Sequence, residues 1–286
     1  MAANKDTGDF SLLRLVPSVL RARGFRLYTD GGRRLVDLWQ NGGAAVLGHT
    51  PPSLLRELKN TASRGLYSPL PHFLEARFIK ALSALFPNRN FLLCASAPPS
   101  LEPLFKDGLA ALWRPYLDPK SPFAVPENSP PILIPVLPGI LGWRNDKPFG
   151  LCVLAYSSAP ETNRLPAGDI LPQGDILPQG DILSPVLLAA ATRGVYDLIA
   201  APNRAKPVFP KIAKALQKGP WQRRGIYLSL RETPDKETWA ALFIRFLEAG
   251  FLIPPVPSQP LILPAVLSPG EEVKLAEAVL KSSSQL

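Results

Sequence analysis

Between residues 24 and 38, apolar and polar positions alternate in two short runs, Arg26-Leu-Tyr28 and Arg34-Leu-Val-Asp-Leu38, with Thr29-Asp-Gly-Gly32 between them. A two-residue period around a glycine-rich tight turn predicts a hairpin. From residue 50 the period lengthens to that of a helix. Thr50 is placed to cap it with Pro51 at the first position; Leu54, Leu55, Leu58 and Ala62 recur on one face, and Gly65 ends it. A second helix is expected from about His72, with Leu74, Phe78, Ala81 and Leu85 in register and Pro87 beyond its end. Both stripes read as core.

The last third is equally patterned. Leu187 to Ala201 has a helical period, Val208, Ile212, Ala215 and Leu216 form the apolar stripe of another helix, and Gly225-Ile-Tyr-Leu-Ser-Leu230 reads as a strand. Thr233, followed by Pro234 and Asp235, opens a helix carrying Trp239, Leu242, Phe243, Phe246 and Leu247, which Gly250 closes. Phe251-Leu-Ile253 is a short strand. Ser268-Pro-Gly-Glu271 has the spacing of a capping box for a final helix buried through Val273, Ala276, Val279 and Leu280, with a tail expected to fray from Ser282.

The middle follows neither period. The chain has 34 prolines in 286 residues, over twice the usual share, and from Asp118 to Pro138 no helix-length window is free of them. Three consecutive hexapeptides then occupy 165–182: Leu165-Pro-Ala-Gly-Asp-Ile170, Leu171-Pro-Gln-Gly-Asp-Ile176 and Leu177-Pro-Gln-Gly-Asp-Ile182. Three copies are too short a stack to bury a β-helical core, and each carries a proline that cannot donate to a ladder. The repeat is expected to be an exposed, dispensable loop.

Composition adds limits. With 46% apolar and 19% charged residues the chain can bury a core, and apolar segments such as Pro131-Ile-Leu-Ile-Pro135 are cut by proline well short of bilayer length. Cys94 and Cys152 lack CxxC spacing, which argues against a disulfide scaffold or a zinc site, and the N-terminus carries no apolar leader, so the cytoplasm is the expected location. His49 and His72, the two histidines, show no metal-ligand spacing with the carboxylates; His49 is expected to anchor a turn. Neither a nucleophile elbow nor a phosphate-binding glycine loop occurs. The net charge is +9, and eight basic residues with no acidic one lie between Leu198 and Arg231, among them Arg204, Lys211, Lys214, Lys218 and Arg223. A solvated helix face explains that run better than nucleic-acid or acidic-protein binding, because no known nucleic-acid-binding motif accompanies it.

Gly24-Phe-Arg-Leu-Tyr-Thr-Asp-Gly-Gly-Arg-Arg-Leu-Val-Asp37, Asn41-Gly-Gly43 and Leu47-Gly-His49, with Arg64, Gly65, Tyr67 and Glu75 at matching spacing, resemble the N-terminal segment of class III aminotransferases, above all the glutamate semialdehyde aminomutase type. The Gly225 strand, the helix ending at Gly250, Phe251-Leu-Ile-Pro254 and the Ser268 helix are similar to that family's C-terminal part. The resemblance implies an α/β fold of the aspartate aminotransferase type, with a large domain that holds pyridoxal phosphate and a small domain built from both chain ends. Residues 1–65 and 184–286 would form the small domain, and 66–183 a reduced, proline-rich large domain containing the repeat.

The same resemblance implies where a cofactor would sit. Asn41, Gly42, Gly43 and Ser96 are the vestigial pocket candidates; Cys94-Ala-Ser-Ala-Pro-Pro-Ser100 stands at the phosphate-holding turn, and Trp143 where a ring would stack. Pro98 and Pro99 remove two backbone donors from that turn. Of thirteen lysines, Lys214 is the best mimic of the Schiff-base residue, but it lies only eleven positions before Gly225 and aligns with a surface helix beside Lys211 and Lys218. No catalytic or metal-binding residue is therefore assigned, and pyridoxal phosphate is not expected. The reading is a degenerate, catalytically inactive relative that associates as a homodimer or with an intact relative; residual aminotransferase or aminomutase activity is the alternative.

Overall fold

Charged and apolar residues alternate from Val19 to Arg23 and from Arg26 to Thr29, and these segments form antiparallel strands β1 (Val19–Arg23) and β2 (Arg26–Thr29). In the structure, a computed structural model that describes residues 10–96, 112–124, 132–133, 136–137, 142–144, 147–157, 180–205 and 207–282, β2 turns back into β3 (Arg34–Asp37) as the sequence predicts. The chain makes two compact units. The first comprises 1–49, 116–120 and 203–286, and the second 50–115 and 121–202. The first is thus built from both chain ends, with its main segments ending at 49 and beginning again at 203.

The first unit holds two sheets. One has the order β1-β2-β3-β11, where β11 (Phe251–Leu252) runs parallel to β3. The other places β10 (Tyr227–Leu230) between β9 (Trp221–Arg224) and β12 (Leu261–Ile262), all antiparallel. Helices α4 (Pro210–Leu216), α5 (Lys236–Glu248) and α6 (Pro269–Ser282) bury their stripes in a common core with Leu35, Leu38, Trp221, Phe246 and Phe251. The second unit has a five-stranded sheet: β4 (Arg89–Ser96) pairs antiparallel with β8 (Lys147–Ser157), which also meets β6 (Ile132–Leu133) and β7 (Gly142–Arg144), and β5 (Leu112–Trp113) lies parallel to β6. Helices α1 (Pro52–Ala62) and α2 (Leu74–Leu85) both pack on α3 (Pro185–Ile199). The α1–α3 packing, with Ser53 donating to Asp197, is what draws both helices into the second unit.

Several local expectations shift by a residue or two. Thr50 does not cap α1: Pro52 keeps the residue before it out of helical space, so Pro51 stays extended (φ −63°, ψ 122°) and occupies the cap without a side-chain bond. The buried ridge of α1 centres on Leu54 and Thr61, which leaves Leu55 exposed. Pro210 likewise holds Phe209 extended and buried while Val208 is 81% exposed, so Val208 is no part of the α4 stripe. Helix α5 is capped by Asp235, whose Oδ1 accepts the Thr238 N–H at 2.7 Å, and not by Thr233. Ser282 does not fray. It is fully buried, and its Oγ accepts the Trp221 Nε1–H at 2.7 Å.

The capping box forms as read. Ser268 N–H donates to Glu271 at 2.8 Å and Glu271 N–H donates to Ser268 Oγ at 3.3 Å. Arg26 adds a two-pronged bond to the same carboxylate at 2.9 and 2.6 Å, and Arg34 approaches at 3.3 Å, so Glu271 ties the β2–β3 hairpin to the start of α6. Burial pushes the Glu271 carboxyl up, but Arg26 and the Ser268 N–H outweigh it and hold it at about 2 against an ordinary 4.5. A depressed carboxylate stabilises the fold fully above its unfolded value and loses that contribution as pH falls through its folded one. Urea unfolding from pH 6 to pH 2 is expected to show wild type losing its advantage over Glu271→Gln between about pH 4.5 and 2.

Most of the hexapeptide repeat lies outside the described residues; its last three, Gly180 to Ile182, do not hang free. Asp181 donates its N–H to Leu93 O at 2.9 Å and accepts the Ala95 N–H on Oδ2 at 2.7 Å, clasping the edge strand β4 beside its bulge. Asp181 and Ile182 are exposed, as expected of the repeat, and the clasp meets donors and acceptors that an edge strand leaves open. Deleting 171–182 joins Gly168-Asp169-Ile170 directly to Leu183 and so recreates the residues of the clasp. That deletion is expected to leave the melting temperature within about a degree, whereas Asp181→Ala in the full chain costs about 1 kcal/mol by thermal denaturation.

Candidate functional site

Several buried polar groups of the first unit gather where β3 ends. Asp37 is 1% exposed; its Oδ1 accepts the N–H groups of Trp39 and Gln40, both at 2.8 Å, and its Oδ2 meets His49 Nε2 at 2.7 Å. An aspartate that bonds the N–H groups two and three residues on builds a turn, and His49 fixes the carboxylate from the other side. His49 also donates its backbone N–H to Gly24 O at 2.8 Å, so it anchors a turn as expected.

That anchor supports an uncommon backbone. Gln40, Asn41, Gly42 and Gly43 have φ of 50°, 51°, 66° and 109°, four left-handed residues in succession, two of them not glycine. Each non-glycine residue there costs about 1–2 kcal/mol, which the surroundings must offset. Gln40 is fully buried, donates from Nε2 to Ile262 O at 2.9 Å, and Trp39 Nε1 donates to Gln259 Oε1 at 2.8 Å. Gln40 Oε1 and Gln259 Nε2 are buried without a hydrogen-bond partner.

Arg204 closes the cluster. Its Nε donates to Val46 O at 3.0 Å, its Nη2 donates to Leu263 O, and its guanidinium lies 5.1 Å from the centre of the Phe25 ring. Burial pushes it down to about 10, and no carboxylate among the described residues pairs with it. Nη1 is a buried donor without a partner. This constellation offers amide groups, one buried cation and a histidine–carboxylate pair. Its demonstrable work is to hold the strained turn.

Of the sequence-derived candidates, Asn41, Gly42 and Gly43 form this left-handed turn in the first unit, while Ser96 is exposed at the end of β4 in the second. Residues 97–100, the remainder of the expected phosphate turn, lie outside the described residues, as does the Trp143 side chain. Lys214 is exposed on α4 beside Lys211, and Lys218 is exposed just past its end. Arg204 and Arg223 leave the basic run: Arg204 is buried, and Arg223 donates to Gly225 O and Pro207 O, both at 2.8 Å. Among the described residues no three or more His, Cys, Asp or Glu side chains gather as metal ligands, and no helix is long and apolar enough to cross a membrane.

A Schiff-base cofactor needs an amine partly withdrawn from water and a carboxylate free to pair with the ring nitrogen. The nine lysines whose side chains are described, Lys59, Lys80, Lys120, Lys211, Lys214, Lys218, Lys236, Lys274 and Lys281, are all exposed. The buried carboxylates, Asp37 and Glu271, are committed to His49 and to Arg26. Among the described residues, then, no lysine amine is withdrawn from water and neither buried carboxylate is free. Asp37 had a legible signal, an Asx-turn aspartate before Asn-Gly-Gly; Gln259 and Arg204 had none, because their partners lie far away in the chain.

The fold is that of the pyridoxal-phosphate-dependent class III aminotransferases. Solved structures of ornithine and acetylornithine aminotransferases and of glutamate-1-semialdehyde aminomutase share it. The ornithine δ-aminotransferase of Plasmodium falciparum superposes with a TM-score of 0.62 at 12% identity, over 99% of this chain and 95% of that one. In sequence, an uncharacterized protein of Treponema pallidum is 28% identical over an alignment of 306 positions, covering 89% of this chain and 91% of its own. A glutamate-1-semialdehyde 2,1-aminomutase of Sorangium cellulosum is 33% identical over 79 residues, 28% of this chain and 18% of the enzyme. No family model matches the chain.

Proposed function

We propose that this chain is a cytoplasmic, non-catalytic protein on the aminotransferase fold that acts by associating with a second protein chain. The observation that carries the reading is the exposure of all nine described lysines. An exposed lysine amine is strongly hydrated and not held against a cofactor aldehyde by a pocket, so it is a poor Schiff-base residue. The commitment of Asp37 and Glu271 supports the same reading.

Association is supported by the connection between α1 and α2. Tyr67, Leu70 and Phe73 are 64%, 60% and 58% exposed within seven residues of the second unit. Large apolar side chains gathered in this way are a feature of surfaces that become covered. A second copy of the chain is the partner proposed, through a self-complementary contact.

Both halves are tested on one preparation. After incubation with pyridoxal phosphate and borohydride, peptide mapping is expected to find no lysine stoichiometrically labelled; one lysine labelled in full establishes residual Schiff-base chemistry and overturns the non-catalytic reading. Light scattering at micromolar concentration is expected to give a dimer that Leu70→Asp with Phe73→Asp weakens at least tenfold. A wild-type monomer overturns the homodimer.

A further inference from the structure

Strands β4 and β8 pair in a register that sets Cys94 directly opposite Cys152. They are the only cysteines of the chain, separated by 58 positions (152 − 94), and nothing in their spacing suggests that they meet. Residues opposite one another on antiparallel strands have side chains on the same face and Cα atoms about 4.5–5.5 Å apart, within the roughly 4.4–6.8 Å that a disulfide spans. Both thiols are reduced and buried, Cys152 at 1% exposure and Cys94 at 7%.

Cys94 is the approachable member. It lies on the sheet's edge strand, next to the bulge between Cys94 and Ser96, where the outer edge is held by Asp181 through the Leu93 carbonyl and the Ala95 N–H. Edge strands open more readily than central ones, and opening the Asp181 clasp exposes the backbone on both sides of Cys94.

We infer that Cys94 and Cys152 form a reversible cross-strand disulfide, a modification site for a hydroperoxide oxidant. The Cys94 thiolate attacks a peroxide oxygen, the O–O bond breaks, and a sulfenic acid forms as water or an alcohol leaves. Cys152 sulfur then attacks the Cys94 sulfur, the S–O bond breaks, and a second water departs. Two electrons pass from the sulfurs to the peroxide, and a dithiol reductant returns them. Burial, with the Asp181 carboxylate adding to it, pushes Cys94 up to about 11, and burial pushes Cys152 up to about 12. Oxidation at neutral pH is accordingly slow and speeds with pH, and Asp181→Asn, which removes that charge and loosens the clasp, accelerates it.

The test treats the full chain with hydrogen peroxide from pH 7 to 9, quenches it, counts thiols in denaturant and maps peptides without reduction. The expected result is loss of both thiols together, one linked peptide pair containing Cys94 and Cys152, reversal by dithiothreitol, and a rate rising about tenfold per pH unit. The oxidised chain should melt about 5–10 °C above the reduced one, since the link closes a long loop; this comparison needs no cysteine variant. Asp181→Asn should oxidise at least threefold faster. Retention of both thiols, a ladder of intermolecular dimers, or independent oxidation of the two sulfurs overturns the inference.

Discussion

Gly225→Ala is expected to destabilise the first unit by about 3–5 kcal/mol, enough to leave much of the protein unfolded or insoluble at 37 °C. A Cβ built on Gly225 would stand 1.9 Å from the Tyr116 carbonyl oxygen and 2.7 Å from that of Leu117. Those atoms are backbone, so no rotamer change relieves the contact, and Ile226 N–H already donates to the same Tyr116 oxygen at 3.3 Å. Gly225 also has φ +58°, where alanine costs a further 1–2 kcal/mol or so. Tyr116, itself left-handed at φ 65° and fully buried, has little room to retreat. Overpacking together with backbone strain supplies the estimate. Urea unfolding followed by tryptophan fluorescence measures it, and a loss below 1 kcal/mol would show that the 116–120 segment does not dock on Gly225.

Trp221→Ala is the second large loss, about 3–5 kcal/mol by the same measurement. The indole is 1% exposed, meets the Phe246 ring edge-on at 6.0 Å between centroids, and donates to Ser282 Oγ at 2.7 Å. Alanine leaves a cavity in the core that joins β9 to α5 and α6. Trp221→Phe should cost much less, about 1–2 kcal/mol, because Ser282 Oγ retains its own bond to Val279 O at 2.6 Å and is not stranded. Equal losses for the two variants would assign the effect to the lost hydrogen bond and not to the cavity.

These positions mark where local patterning ends. The β2–β3 hairpin, the stripes of α2 and α5 and the capping box at Ser268 and Glu271 were legible, because period, turn residues and caps act over a few positions and agree with one another. The α1 cap, the Val208 position and the fraying of Ser282 were misread: the first two turned on the restriction a proline places on its predecessor, the third on an indole 61 positions away.

The candidate site divides along the same line. By itself the sequence determined that His49 anchors a turn and that the two ends of the chain carry the order of elements found in aminotransferases. Only the tertiary structure decided that Asp37 and His49 pair beneath that turn, that Arg204 leaves the basic run to bond Val46 and Leu263, and that Cys94 faces Cys152. The physical reason is range. Propensity, capping and turn chemistry are written in neighbouring residues, whereas burial, strand register and the pairing of buried polar groups depend on segments that meet only after the chain has folded.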